Sequence, residues 1–143
     1  VPTASQPDDV TLAKAANIER CIRRFRAEYA AILSDTDFTH LDAMLLNIER
    51  ACQAAIDLAM HMCAQRHLGI PQGTGQAFDL LREAGLIDEQ ICRRLKGMVG
   101  YRNVAIHAYT ALDPGTTRWI TETGYRDFIA FLATLGVHIV VDG

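Results

Sequence analysis

The residues with the greatest chemical potential lie together in Gly100-Tyr101-Arg102-Asn103-Val104-Ala105-Ile106-His107-Ala108-Tyr109. This stretch holds a guanidinium, a carboxamide, an imidazole and a phenol. An imidazole titrates near neutral pH and can take up or deliver a proton. A guanidinium keeps its charge and offers forked donors that match two phosphate oxygens. At about 100° per residue, Ile91, Leu95, Met98, Val99, Ile106 and Tyr109 all fall within roughly 60° of Arg102, at the centre of an apolar stripe. Burying that charge without an anion is costly. Either Arg102 snorkels to the rim, or the stripe borders a cleft where an anion arrives. His107 lies about 140° from Arg102, on the side of Lys96, Gly100 and Asn103, so one straight helix does not bring the two over one small ligand. Tyr109, seven residues beyond Arg102, shares its face.

Other groups are weaker candidates. Asn47, Arg50, Ala54, Asp57 and His61 form one band of about 80° on a preceding helix, either a solvated stripe or a source of a carboxylate, Asp57, for Arg102. His40, His67 and His138 stand near helix ends and read as structural. The four cysteines, Cys21, Cys52, Cys63 and Cys92, have no ligand spacing that closes a metal tetrahedron and behave as small hydrophobes. No metal or cofactor is expected. The glycines of Gly73-Thr74-Gly75 lack the preceding strand and following Lys-Ser/Thr of a phosphate-binding loop, and punctuate two helices instead.

The elements that must carry these residues are helical, because apolar positions recur at three and four residues and never alternate over a sustained run. A first helix is expected over about 9–34, with Ile18, Ile22, Phe25, Tyr29 and Ile32 on one face. A second, capped by Thr39, reaches about Leu68 before Gly69 and Pro71, and its stripe is rich in small residues that admit close neighbours. A short helix follows over 76–83, then one over 89–110 capped by Asp88. Asp113-Pro114-Gly115 breaks the chain before a last helix over 117–140. The expectation is all-α: a single-domain, up-and-down four-helix bundle with an extra short helix, residues 1–8 being flexible.

The segment Arg102-Asn103-Val104-Ala105-Ile106-His107-Ala108-Tyr109 resembles the Arg-x4-His-x-Tyr motif of HepT toxins in the HEPN superfamily. Cys52-Gln53-Ala54-Ala55-Ile56-Asp57-Leu58-Ala59, Leu68-Gly69-Ile70-Pro71-Gln72 and Leu95-Lys96-Gly97-Met98-Val99-Gly100-Tyr101 are also similar to that family. The likeness spans roughly residues 12–135, with Ala108 departing from the acidic residue of many relatives. It implies a HEPN-like fold and a homodimer with two facing motifs. It also implies metal-independent cleavage of RNA, with mRNA or tRNA as target, and an MntA-like minimal nucleotidyltransferase antitoxin that transfers AMP to the motif tyrosine, Tyr109. On that basis the stripe around Arg102 is expected to be a dimer seam, which supplies the missing half of the site. Arg102 then serves the phosphate and His107 proton transfer. Asn103, Lys96 and Asp57 are expected to position substrate, and Arg93 and Arg94 to guide RNA. The alternative is a non-catalytic HEPN module that binds nucleotide or substrate for a separate nucleotidyltransferase.

Composition agrees with such a fold. The 143 residues are half apolar and carry a net charge of −3, which excludes a uniformly basic nucleic-acid binder. Yet Arg20, Arg23, Arg24 and Arg26 cluster, as do Arg93, Arg94, Lys96 and Arg102, and local fields steer phosphates where the whole-chain sum does not. No run spans a bilayer. Val1–Asp9 is polar and acidic, unlike a signal peptide, and begins without Met, as a trimmed chain would. Free thiols without a secretion signal point to the cytoplasm.

Overall fold

Asp8 starts the first helix by accepting a hydrogen bond from the Thr11 backbone N–H at 2.8 Å, the side-chain cap that an unpaired first turn requires. In the computed structural model, which describes residues 6–34, 36–107 and 114–141, α1 spans Asp9–Ala31. It buries Ala15, Ile18, Ile22 and Phe25, the spacing of one helical face. The helix ends three residues before the expected limit because Ile32 turns to extended backbone. Of the stretch expected to be flexible, residues 1–5 lie outside the described set. Asp8 at its inner end is anchored, since its carboxylate also takes the His61 ring at 2.8 Å and the Gln65 amide.

The second helix, α2 (Phe38–Gln65), is the axis of the molecule. Ala51, Cys52, Ala54, Ala55, Leu58 and Ala59 are all at most 2% exposed. Such small side chains let α1, the short α3 (Thr74–Glu83) and α4 (Glu89–His107) pack against it. Residues of positive φ separate α2 from α3 and α3 from α4. Gly85, at φ 77°, closes α3 with a Leu86 N–H to Leu81 carbonyl bond of 2.9 Å, where L side chains are strained. Asp88 caps α4 through the Ile91 N–H at 2.8 Å. Leu95, Met98 and Val99 are buried in the core of this same chain. Along Leu95, Met98 and Val99 the apolar stripe of α4 is therefore an internal packing face, while the side chain of Ile106 and the whole of Tyr109 lie outside the described residues.

The last rod begins at Pro114, earlier than expected, and has three parts: α5 (Pro114–Trp119), a π-helical turn over Ile120–Gly124, and α6 (Arg126–Thr134). Phe131 of α6 meets Phe78 of α3 edge to face, with centroids 5.7 Å apart. The rod stops at Gly136, whose φ is 85°, so residues 137–140 are not helical. The β-branched run there extends instead, with Val137, Ile139 and Val141 turned inward and His138 and Val140 outward. Arg23 of α1 donates to the Val140 carbonyl and holds this tail. Among the described residues there is no strand, all four cysteines are buried, and no helix is long and apolar enough to cross a membrane. The all-α bundle with one extra short helix stands as expected.

Two outcomes follow from these contacts. A methyl on Gly124 would lie 2.4 Å from the Trp119 ring across the π turn. Gly124→Ala should therefore lower stability by about 1–3 kcal/mol in urea titrations, with a smaller loss in a Trp119→Ala background. The Asp8 carboxyl is held down at about 2 by the Thr11 N–H and hydroxyl and by His61. Because the folded state favours the ionised form, this stabilisation is present above the unfolded value near 3.8 and fades as pH falls towards 2. The stability gap between the parent and Asp8→Ala, measured by thermal melts, should narrow over that window.

Candidate functional site

The C-terminal half of α4 runs along the flank of α2, and this places Arg102 beside Glu49, Arg50 and Gln53 around a shallow cavity of about 150 Å³. Arg102 is half-buried. Beneath it lies Cys52, whose thiol is pushed up to about 12 by complete burial against the opposing pull of the Arg102 charge. Among the described residues neither Arg102 nor Arg50 forms a hydrogen bond or ion pair, although Glu49 shares the cavity. Two permanent positive charges thus face one concavity without a carboxylate on either. That arrangement repels itself and favours an anion that bridges them. The cavity that Arg102 lines is formed with α2 of the same chain.

Asn103 is exposed on the next step of α4. His107 is the last residue of α4, and its side chain lies outside the described residues, as does the whole of Tyr109. From helix geometry, the His107 backbone stands about 7.5 Å further along the axis than Arg102 and roughly 140° around it.

Several expected site residues are committed elsewhere. Asp57 does not reach Arg102: its carboxylate binds Lys14 of α1 at 3.3 Å and the Gln53 amide at 2.7 Å. Lys96 donates to both carboxylate oxygens of Asp79 on α3 at 3.1 Å, which holds the Asp79 carboxyl below its usual range. Arg94 ties α4 to α6 through Asp127 at 3.1 Å. Arg93 is exposed and has no ion pair among the described residues. The sequence signal for this neighbour is modest: Arg50 and Gln53 sit three apart on α2, and only the tertiary packing shows that Arg102 lines one cavity with them.

Comparison with known proteins shows the family of the chain. The family model "Ribonuclease HepT-like" matches residues 15–135. The chain belongs to that family. It is 37% identical over 126 residues to the mRNA nuclease HepT of Shewanella oneidensis, covering 87% of this chain and 95% of that protein. Its fold is similar, at TM-score 0.85 and 36% identity over 90% of this chain and 98% of the other, to a tri-AMPylated Shewanella oneidensis HEPN toxin in complex with MNT antitoxin. A toxin–antitoxin crystal structure with AMP-PNP matches equally well, at TM-score 0.85. Membership of this HepT-like family agrees with the resemblance carried by the Arg-x4-His-x-Tyr segment.

The reassignment of Arg94 has a measurable consequence. Asp127 is 7% exposed, and its Oδ2 has no hydrogen-bond partner among the described residues. Arg94→Ala would leave that carboxylate unpaired and should cost about 1–3 kcal/mol in denaturant unfolding. Asp127→Asn in the same background should recover part of the loss.

Proposed function

We propose that this protein is the toxin of a toxin–antitoxin pair, an endoribonuclease that cuts RNA without a metal ion at a site shared by two copies of the chain. The observation that carries this is the half-buried Arg102, facing the same cavity as Arg50 with no carboxylate bound to either among the described residues, five residues before His107 in a HepT-like chain. Cleavage needs a base for the ribose 2′-hydroxyl, charge stabilisation at phosphorus and a proton for the leaving oxygen. His107 takes the 2′ proton, and the 2′ oxygen attacks phosphorus. The bond to the 5′ oxygen breaks, and that oxygen gains a proton from water as the protonated His107 returns one to solvent. The products are a 2′,3′-cyclic phosphate and a 5′-hydroxyl. Arg102, supported by Arg50, holds the non-bridging oxygens, whose charge grows towards the transition state. Asn103, on the His107 side of α4, orients the substrate. Lys96 and Asp57, each held by a partner within the fold, take no part.

A homodimer supplies what one helix cannot, by setting Arg102 of one copy against His107 of the other. The regulatory partner is an MntA-like minimal nucleotidyltransferase acting in the cytoplasm. It moves AMP from a nucleoside triphosphate to the Tyr109 oxygen, with pyrophosphate as leaving group. The tethered phosphates then neutralise Arg102 and obstruct the RNA path.

Arg102→Ala and His107→Ala should each reduce RNA cleavage by about 100-fold or more while leaving the helical circular dichroism intact. The parent's products should carry cyclic phosphate ends in EDTA. Refolding the two inactive variants together should restore part of the activity, since mixed dimers rebuild one intact site. Full activity of His107→Ala would end its assignment, and a silent mixture would end the shared site.

A further inference from the structure

The face of α1 that packs beside α2 leaves a groove of about 550 Å³, larger than the cavity at Arg102. Its charged walls are Arg20 and Arg24 from α1 and Arg50 and Asp57 from α2. Arg20 and Arg24 are one turn apart, so they repeat at about 6 Å along the groove. Asp57, the sole acid of the lining, is paired with Lys14 and does not offset the three guanidiniums. Among the described residues Arg20 bonds only the neutral Asn17 carbonyl, at 3.4 Å, and Arg24 stands 4.0 Å from Glu28 with its side chain 67% exposed. Arg50 is unpaired among the described residues.

The groove is also continuous with its neighbours. Arg50 and Gln53 line both it and the Arg102 cavity. On the opposite side, Arg20 and Arg24 line both it and a further concavity of about 350 Å³ on the outer ridge of α1. Three concavities thus share walls in a row that begins on α1 and ends at Arg102.

We infer that this row is a phosphate track for single-stranded RNA flanking the cleavage point, with Arg20 and Arg24 taking successive backbone phosphates and Arg50 joining the track to the scissile one. It rests on Arg102 as the group that holds the scissile phosphate. A charged groove that leads into a reactive arginine suits a flexible polyanion. The lining has no aromatic ring on which to stack a base, so it grips backbone and reads little sequence. Its apolar wall is only Cys21 and Ala54, which gives a protein partner none of the large anchors that dominate protein interfaces.

The test uses the full-length protein, an RNA dinucleotide and an RNA twelve-mer. The parent should cleave the twelve-mer with a higher kcat/KM, because only the longer substrate reaches the track. In Arg20→Gln/Arg24→Gln that advantage should shrink by about 10-fold, and the salt slope of twelve-mer binding should fall by roughly 0.7 for each phosphate that is no longer neutralised. Arg20→Lys/Arg24→Lys, which keeps the charge, should retain most of the advantage and guards against a folding defect. An undiminished advantage in the Gln variant, or equal losses on both substrates, overturns the track. So does unchanged RNA binding accompanied by loss of binding to the nucleotidyltransferase, which would make the groove a protein-docking surface. Fluorescence anisotropy with the twelve-mer reads the track without any cleavage. A parent that binds through Arg20 and Arg24 but does not cut would leave the track standing and bring down the ribonuclease mechanism alone.

Discussion

Close approach of helices to α2 is the constraint on which the other features depend. A helix whose buried face includes Ala51, Cys52, Ala54, Ala55 and Ala59 lets three neighbours approach closely where those small side chains lie. The same proximity brings the outer edge of α4 level with the outer edge of α2. Arg102 and Arg50 then line one cavity, each carried on a helix. Rigid elements hold a charge constellation more precisely than loops do. Enlarging any of the central alanines would displace α4 relative to α2 and open the distance between the two guanidiniums.

Electrostatics divides the arginines into two populations. Arg94 and Arg82 are bound to carboxylates of the fold, and Arg23 reaches a backbone carbonyl. These join elements to one another. Arg20, Arg24, Arg50 and Arg102 line connected concavities with little or no compensation. In a chain of net charge −3, these four line adjoining concavities, so local positive charge persists although the whole molecule is mildly acidic.

Some helix limits are legible in the sequence because their signal is local, although α2 starts at Phe38 after Asp37 and takes the expected Thr39 cap into its first turn. The Asp88 cap, the Gly85 stop and the three- and four-residue apolar repeat each depend on a few adjacent residues, and each is found as expected. Partners are not legible, because they come from other helices. Asp57 is taken by a lysine 43 residues away, Lys96 by an aspartate 17 away and Arg94 by one 33 away. The apolar stripe of α4 does lie on one face, but a periodicity cannot tell a face buried by its own chain from one buried by a second copy. The end of the last rod departs from expectation for a related reason: Val137, Ile139 and Val141 supply inward apolar residues at spacing two, and a preceding helix masks that change of period until Gly136 is seen in the left-handed region.

The four cysteines have a consequence for how such a molecule can be controlled. Every thiol is buried, and burial raises the pKa of each, most of all that of Cys52. Oxidants and disulfide exchange act through the thiolate, so while the chain is folded its sulfur is withheld from sulfenic acid formation, glutathionylation and mixed disulfides. The bundle is therefore deaf to redox signals. An oxidative burst would reach these sulfurs only through unfolding, and would mark damaged molecules without tuning intact ones.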